Sequence, residues 1–401
     1  MNPVVMIRSL RRHPVPALML VLEMALACAV LGNVLHMLER RFAAIHRVEH
    51  IDEASLAFLT IDNRGASDNA DTISRELLAL KAIPGVSAAA QSNSLPLSHN
   101  VWGGSLRLDP TTQDWTDAST YILGLDGSQV LGLKLVQGRD FRADDYAAGD
   151  IRAGSSPTAP VVILSQSLAR RLWPGQSPLG KVVYDSAGRH TVIGVARNVL
   201  VPEIGVNGPN GNYDEAFYPS RPSMDMRYDL IRTDPRQMPR VLRQAQQALY
   251  GIDPQALIYA GEFGSERRAY FATDRSMVWM LSLVSVVMLA ATALGVVGLT
   301  SFWVGQRRGQ IGIRRALGAR RRDVLAYFQG ENLLLSVAGG GLGMLLGYGL
   351  NLYLMRHYEF VHLPAAYLWS GALALLLLGQ LAVLGPALKA SRISPVVAMR
   401  G

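Results

Sequence analysis

A chain of 401 residues with a formal charge of +8 and a positive mean hydropathy of +0.17 is too apolar to read as two or three ordinary soluble domains. Its one cysteine, Cys28, excludes a disulfide framework and any metal site built on thiolates. A basic excess suits either nucleic acid or a membrane protein whose cytosolic loops collect Lys and Arg, and the placement of the arginines separates the two.

Arg8, Arg11 and Arg12 precede the first apolar run, residues 15–38, which is long enough to cross about 30 Å of hydrocarbon as a helix. Glu23 interrupts it nearer the basic end, where it reaches the interface or faces a helix partner. Ala25-Leu26-Ala27-Cys28 is similar to a lipoprotein cleavage site, but Ala25 stands where such a site takes Leu and the apolar run continues to Leu35. An uncleaved anchor is therefore expected.

Residues 39–275 alternate short strand-like runs with amphipathic helices and read as an α+β domain of two lobes, long enough to bury its own core. Strands are predicted over 55–61, 86–91, 104–108, 121–125, 161–164, 191–195, 229–232 and 257–259. A helix is predicted over 72–83, with Ile73, Leu77, Leu80 and Ile83 on one face and Pro84-Gly85 ending it. Ser165 is placed to cap a second helix ending near Trp173-Pro174, and a third helix covers 239–250. Residues 205–212 (GVNGPNGN) are turn chemistry and are expected to form a mobile loop. The polar helical stretch 265–274 is expected to run straight into the next apolar segment.

Residues 175–181 (GQSPLGK) match the start of a phosphate-binding loop. The next residue, however, is Val182 where a magnesium-binding Ser or Thr is needed, and a helix rather than a strand comes before, so a structural turn is expected. His46 and His50 share metal-ligand spacing without a third ligand, His99 and His190 stand apart from them, and no catalytic triad is recognisable. The sequence therefore points to no enzyme, metal or cofactor.

Three further apolar runs follow, at 277–304, 333–355 and 367–388. Arg307, Arg308, Arg314, Arg315, Arg320, Arg321 and Arg322 lie between the second and third spans, and Lys389, Arg392 and Arg400 follow the fourth. With four spans, all the basic clusters fall on one side, which should be cytosolic. Topology thus accounts for the arginines and leaves no reason to invoke nucleic acid. The expected organisation is a cytosolic N-terminus and first span (1–38), a periplasmic domain (39–275), a second span (276–304) and a cytosolic connector (305–323). A third span (324–355), a short periplasmic loop (356–366), a fourth span (367–388) and a cytosolic tail (389–401) complete it.

The connector holds QIGIRRALGA, that is Gln310, Ile311, Gly312, Ile313, Arg314, Arg315, Ala316, Leu317, Gly318 and Ala319. Too polar to enter lipid, it should lie along the membrane surface with its apolar residues available to a partner. Together with the arginines after it, the early Glu331 of the next helix and the glycines Gly339, Gly340, Gly341, Gly343 and Gly347, this segment resembles the core of MacB/FtsX-type ABC transporter permeases. The C-terminal Pro386, Pro395 and Ala398 also fit that family's ending. So do Gly138-Arg139-Asp140-Phe141, VVILSQSLARRLW (161–173), Pro178-Leu179-Gly180-Lys181 and Val192-Ile193-Gly194-Val195, which follow its extracytoplasmic domain in order.

The resemblance implies an α-helical membrane protein with four transmembrane helices plus an α+β two-lobed periplasmic domain, in a bacterial inner membrane. It implies a permease subunit, a homo- or heterodimer with a second permease, whose residues 310–319 form a coupling helix for a cytosolic ABC ATPase. A periplasmic adaptor and an outer-membrane channel belong to the tripartite version, and membrane lipids surround the spans. A lipoprotein-releasing permease, an FtsX-like regulator of a cell-wall hydrolase and a membrane-anchored sensor are the alternatives, and the large insert favours export. The chain departs from the family pattern at Gln306 and Gln310, where Glu is common, which leaves its connector more basic.

Overall fold

The computed structural model describes residues 14–47, 50–62, 70–146, 150–151, 156–223, 226–358 and 363–392. Arg8, Arg11, Arg12, Pro395, Ala398 and Arg400 lie outside them. The chain divides into two compact units, Val48–Ala272 and the flanking segments Met1–Arg47 with Thr273–Gly401.

The flanking unit begins with one long helix, α1 (Pro14–Ile45). In the α/β unit, β1 (Leu56–Asp62) is buried on both faces: Ala57, Leu59 and Ile61 enter one core while Leu56 and Phe58 enter another. The helix α2 (Ala70–Lys81) turns Leu77 and Leu80 onto the first of these cores. The turn that follows needs Gly85, whose φ of +104° few side chains tolerate. After β2 (Val86–Ser92) the chain builds a second lobe from β3 (Gly103–Leu106), β4 (Thr116–Leu123), α3 (Gly127–Leu131), β5 (Leu135–Gly138) and β6 (Asp150–Ile151). The lobe continues through β7 (Val161–Ser165), α4 (Gln166–Leu172), β8 (Val182–Tyr184), β9 (Arg189–Ala196), β10 (Glu215–Pro219) and β11 (Arg221–Pro222). It returns as β12 (Met226–Thr233), α5 (Met238–Ile252), β13 (Leu257–Glu262) and α6 (Phe263–Tyr270).

Among the described residues eleven strands form one sheet, in the order β13-β1-β12-β2-β4-β10-β7-β9-β5, with β3 added to β4 and β8 to β9. The first four strands are antiparallel to their neighbours and share one register frame, with Leu59 opposite both Asp229 and Ala260. They come from two interleaved β-α-β units, β1-α2-β2 and β12-α5-β13. Helix α5 packs Val241, Ala245 and Leu249, one turn apart, onto the same core as Leu59 and Leu80. The lobes join where Ser92 pairs with Leu123. The second lobe buries Val162, Leu164, Leu168, Val192 and Tyr218. Arg227 of β12 is fully buried and pairs with Glu76 of α2, which places a charge pair under a helix otherwise held by apolar contacts.

The sequence motifs of this unit are structural. Ser165 caps α4: its Oγ accepts the Leu168 amide at 3.3 Å and also the Glu215 amide at 3.1 Å, tying the helix to the central strand β10. In Gly138-Arg139-Asp140-Phe141, a Cβ on Gly138 would fall 2.2 Å from the Ile193 carbonyl. Arg139 there grips Asp145 with two hydrogen bonds, of 2.5 and 2.8 Å. That grip and the Arg142 amide hold the Asp145 carboxyl below the usual carboxylate range. The phosphate-loop lookalike is a turn between α4 and β8, where Gly175 and Gly180 take positive φ and the Gly180 amide donates to Val192 O. Its Lys181 is occupied by Gln176 Oε1 at 2.5 Å and by the Trp173 ring at 5.3 Å.

The expected mobile loop at 205–212 is instead tied down. Asn207 is buried and donates to Ser119 Oγ and Asp214 O, and the Gly205 amide donates to Asn212 Oδ1. His46 and His50 each spend Nδ1 on a backbone carbonyl, of Phe42 and Asn198.

In the helical unit α1 is followed by α7 (Ala272–Gln306), α8 (Arg308–Ala316), α9 (Arg321–Tyr358) and α10 (Ala365–Ser391). Helices α1, α7, α9 and α10 are long and apolar enough to cross a membrane. A single residue, Phe271, separates α6 from α7, and α9 starts well before the predicted apolar run, through a polar first turn in which Asp323 Oδ2 accepts the Arg320 amide. Helix α1 packs along both α9 and α10. The glycines of α9 make this close approach possible: a Cβ on Gly343 would lie 2.5 Å from Cys28 Cβ, and one on Gly339 2.7 Å from Met24 Cβ. Helix α7 touches the bundle through a narrow stripe, Ser285, Thr292, Val296, Thr300 and Trp303. Glu23 lies against α7 and faces a helix partner; a Cβ on Gly295 would meet its carboxylate oxygens at 2.5 and 2.6 Å.

Candidate functional site

Residues 310–319 are one helix and its stop signal. Arg307 leaves helical geometry after α7, α8 runs from Arg308 to Ala316, and Leu317 caps it. The chain then reverses through Gly318 at φ +99°. The Gly318 amide donates to Arg315 O and the Ala319 amide to Arg314 O, the paired pattern of a Schellman stop, which explains why Leu-Gly-Ala ends the motif.

The helix presents two faces. Ile311 is 7% exposed and, with buried Gly312, joins the core formed by Val304, Val324 and Phe328. Gln310, Ile313, Arg314 and Leu317 repeat at intervals of three and four and are exposed, Ile313 at 54% and Leu317 at 83%. Arg314 covers the Tyr327 ring at 5.4 Å; Arg315 is half-buried; Ala316 and Gly318 are exposed and Ala319 half-buried. The outcome is an apolar pair, Ile313 and Leu317, on the outer face of a helix whose inner face is anchored.

Sequence reasoning missed the anchor at the helix start. Glu331 of α9 is 1% exposed and accepts two hydrogen bonds from Arg307 Nη1, at 3.2 and 3.1 Å. The same nitrogen lies 3.4 Å from Tyr327 OH, and the guanidinium stands over the Trp303 ring at 5.8 Å. The available signal was a carboxylate inside the predicted third span, 324–355, with an arginine just after the second apolar run. Such a residue asks for a partner, because an unpaired buried charge is costly.

The MacB-like periplasmic core domain family matches residues 26–249, and the FtsX-like permease C-terminal family matches residues 282–395. The chain is 26% identical over 260 residues to the macrolide export ATP-binding/permease protein MacB of Bdellovibrio bacteriovorus, covering 60% of this chain and 38% of that protein. It is 25% identical over 302 residues to the uncharacterized ABC transporter permease YknZ of Bacillus subtilis, covering 72% of this chain and 71% of that one. The chain therefore spans well under half of the length of its MacB relative from Bdellovibrio. A crystal structure of the periplasmic region of MacB from Actinobacillus actinomycetemcomitans aligns with a TM-score of 0.37 at 17% identity, over 53% of this chain and 91% of that one. Two family matches that start within the first apolar helix and end just past the last, on a fold with four membrane-length helices, identify a multi-pass membrane protein: the chain belongs to the MacB/FtsX-like family of ABC transporter permeases.

Proposed function

We propose that the chain is the permease subunit of a MacB-like ABC exporter, and that residues 310–319 are its coupling helix for an ATPase carried on a partner chain. The observation that carries this reading is the two-faced α8. Its inner residue Ile311 is fixed in the bundle while Ile313 and Leu317 stand exposed among arginines, as a docking knob should. The Arg307–Glu331 pair joins α8 to α9, so a push on α8 is delivered to the start of a membrane-length helix. In this reading the connector arginines face the cytosol of a bacterium, residues 39–275 lie outside its inner membrane, and the outward face of α7 meets lipid or a second permease. Nothing is consumed on this chain itself. ATP-driven motion passes to the two-lobed domain, which drives export, in a tripartite assembly where an adaptor and an outer-membrane channel are present.

The test is co-expression with candidate ATPases. The purified chain alone should show no ATP hydrolysis, and a stable complex with one ATPase should restore it. Cysteine labelling in a Cys28→Ala background should reach Gln113→Cys in intact cells and Arg308→Cys only after membranes are opened, both positions being exposed. The opposite labelling pattern, or ATP hydrolysis by the chain alone, overturns the assignment.

A further inference from the structure

Next to the Arg307–Glu331 pair is a small cavity in the helical unit, lined among others by Leu20 of α1, Trp303 of α7, and Phe328, Glu331 and Asn332 of α9. Its walls are about as polar as apolar, with Thr300 also in the lining, and its polar groups are unevenly served. Glu331 takes Arg307, whereas Trp303 Nε1 and Asn332 Nδ2 are fully buried and find no protein acceptor. Trp303 is 4% and Asn332 5% exposed, so bulk solvent does not serve them either. Two buried donors left unpaired are a heavy cost for a native bundle, and both belong to residues that line the same small space as Glu331.

The chemistry of the lining selects the occupant. An apolar guest would leave both donors unpaired. A cation would face two N–H groups. A water molecule accepts from the donors and donates to a carboxylate oxygen, and the cavity has room for about one. We propose that this cavity is an internal hydration site, in which a water bridges the Trp303 indole and the Asn332 amide to the Glu331 carboxylate and so holds the joint between α7, α8 and α9. The water completes a polar cluster of which Arg307 is the outer member. This inference stands apart from the coupling proposal, since it concerns a ligand of the chain alone.

Radiolytic hydroxyl labelling of the full chain in lipid nanodiscs, in oxygen-18 water, reads bound water directly, because radicals formed in place mark the nearest side chains. Phe328 is 3% exposed, while Leu294 is 72% exposed on the outer side of α7, where lipid would cover it. With each rate normalised to that in the unfolded chain, Phe328 should be labelled severalfold more than Leu294, against the order of their exposure. In the Trp303→Phe, Asn332→Leu double variant Phe328 should fall to the level of Leu294. Should that variant fail to fold, Asn332→Leu alone removes one donor at nearly unchanged volume, and should lower Phe328 labelling on its own. Wild-type labelling of Phe328 no higher than Leu294 would show a dry cavity. Undiminished labelling in a folded variant would show that these donors hold no water. Either result overturns the proposal.

Discussion

Leu317→Asp separates a docking helix from a merely basic loop. Leu317 is 83% exposed at the cap of α8, so almost its whole side chain is available for burial against a partner. Full burial of a leucine is worth about 1.5–3 kcal/mol, and the aspartate adds a charge to the same interface. At about 1.4 kcal/mol per factor of ten, association with the ATPase should weaken by about tenfold to about a hundredfold. The fold should hardly register the change: exposed substitutions stay within about 0.5 kcal/mol, and an acidic group at a helix C-terminus costs about 0.3–1 kcal/mol more. Leu317→Gln controls for that charge. Binding of the purified permease to its ATPase in nanodiscs gives the affinity, and limited proteolysis of the α/β unit reports the fold. Ile311→Asp is the contrasting variant, because Ile311 is 7% exposed in the bundle core and its loss should destabilise the chain itself. If Leu317→Asp binds the ATPase as tightly as wild type, the exposed pair is not a docking knob and the coupling assignment fails.

Other outcomes follow from the packing. Gly343→Val should lower the thermal midpoint of the detergent-solubilised chain by an overpacking cost of about 1–3 kcal/mol, since its Cβ has only 2.5 Å to Cys28 Cβ; unchanged melting would mean that α1 and α9 do not pack this closely. Lys181→Ala should leave the ATPase activity of the assembled system within about twofold, because Lys181 is spent on Gln176 and Trp173 in a structural turn. Asp145 is depressed chiefly by its hydrogen bonds from Arg139, so its contribution to stability is complete above the unfolded value of about 3.9 and is lost as pH falls through the lower folded value. Urea unfolding of the full chain at neutral and acidic pH should therefore show a smaller pH dependence in Asp145→Asn than in wild type, and an identical dependence would refute the pairing.

The sequence was most legible where local chemistry and tertiary placement agree. The strand at 161–164 and its cap Ser165 came out within a residue, because a β-branched run beside a capping serine has one good local solution. The four membrane-length helices were equally plain, as nothing else in the chain has such long apolar runs. The central strand β10 was missed. Glu215 and Pro219 bound it and look like turn residues, yet all five of its positions are buried and Glu215 is protected by the surrounding sheet. Strand β4 was predicted too late in the chain because Thr116–Leu123 opens with polar residues that only its pairing with β3 makes sense of. At the candidate site the helix and its apolar residues were visible, but its two-facedness was not. Whether Ile311 or Ile313 turns inward depends on the packing of α8 against α7 and α9, and a nine-residue segment with three glycines nearby does not fix that by period alone.

The interleaving of β1 and β12 has a consequence for synthesis. As the chain emerges, β1 and α2 appear early, but the neighbours of Leu59 are Asp229 and Ala260, so the first lobe cannot close its sheet until the whole second lobe has been made. The second lobe has its own apolar core and draws all its elements from the intervening stretch. It should therefore fold first, while β1 waits with both edges unpaired, in the state most prone to mispairing with other chains. A stall or truncation between β11 and β12 would leave a well-formed lobe attached to an aggregation-prone strand, and quality control during biogenesis should act on that intermediate.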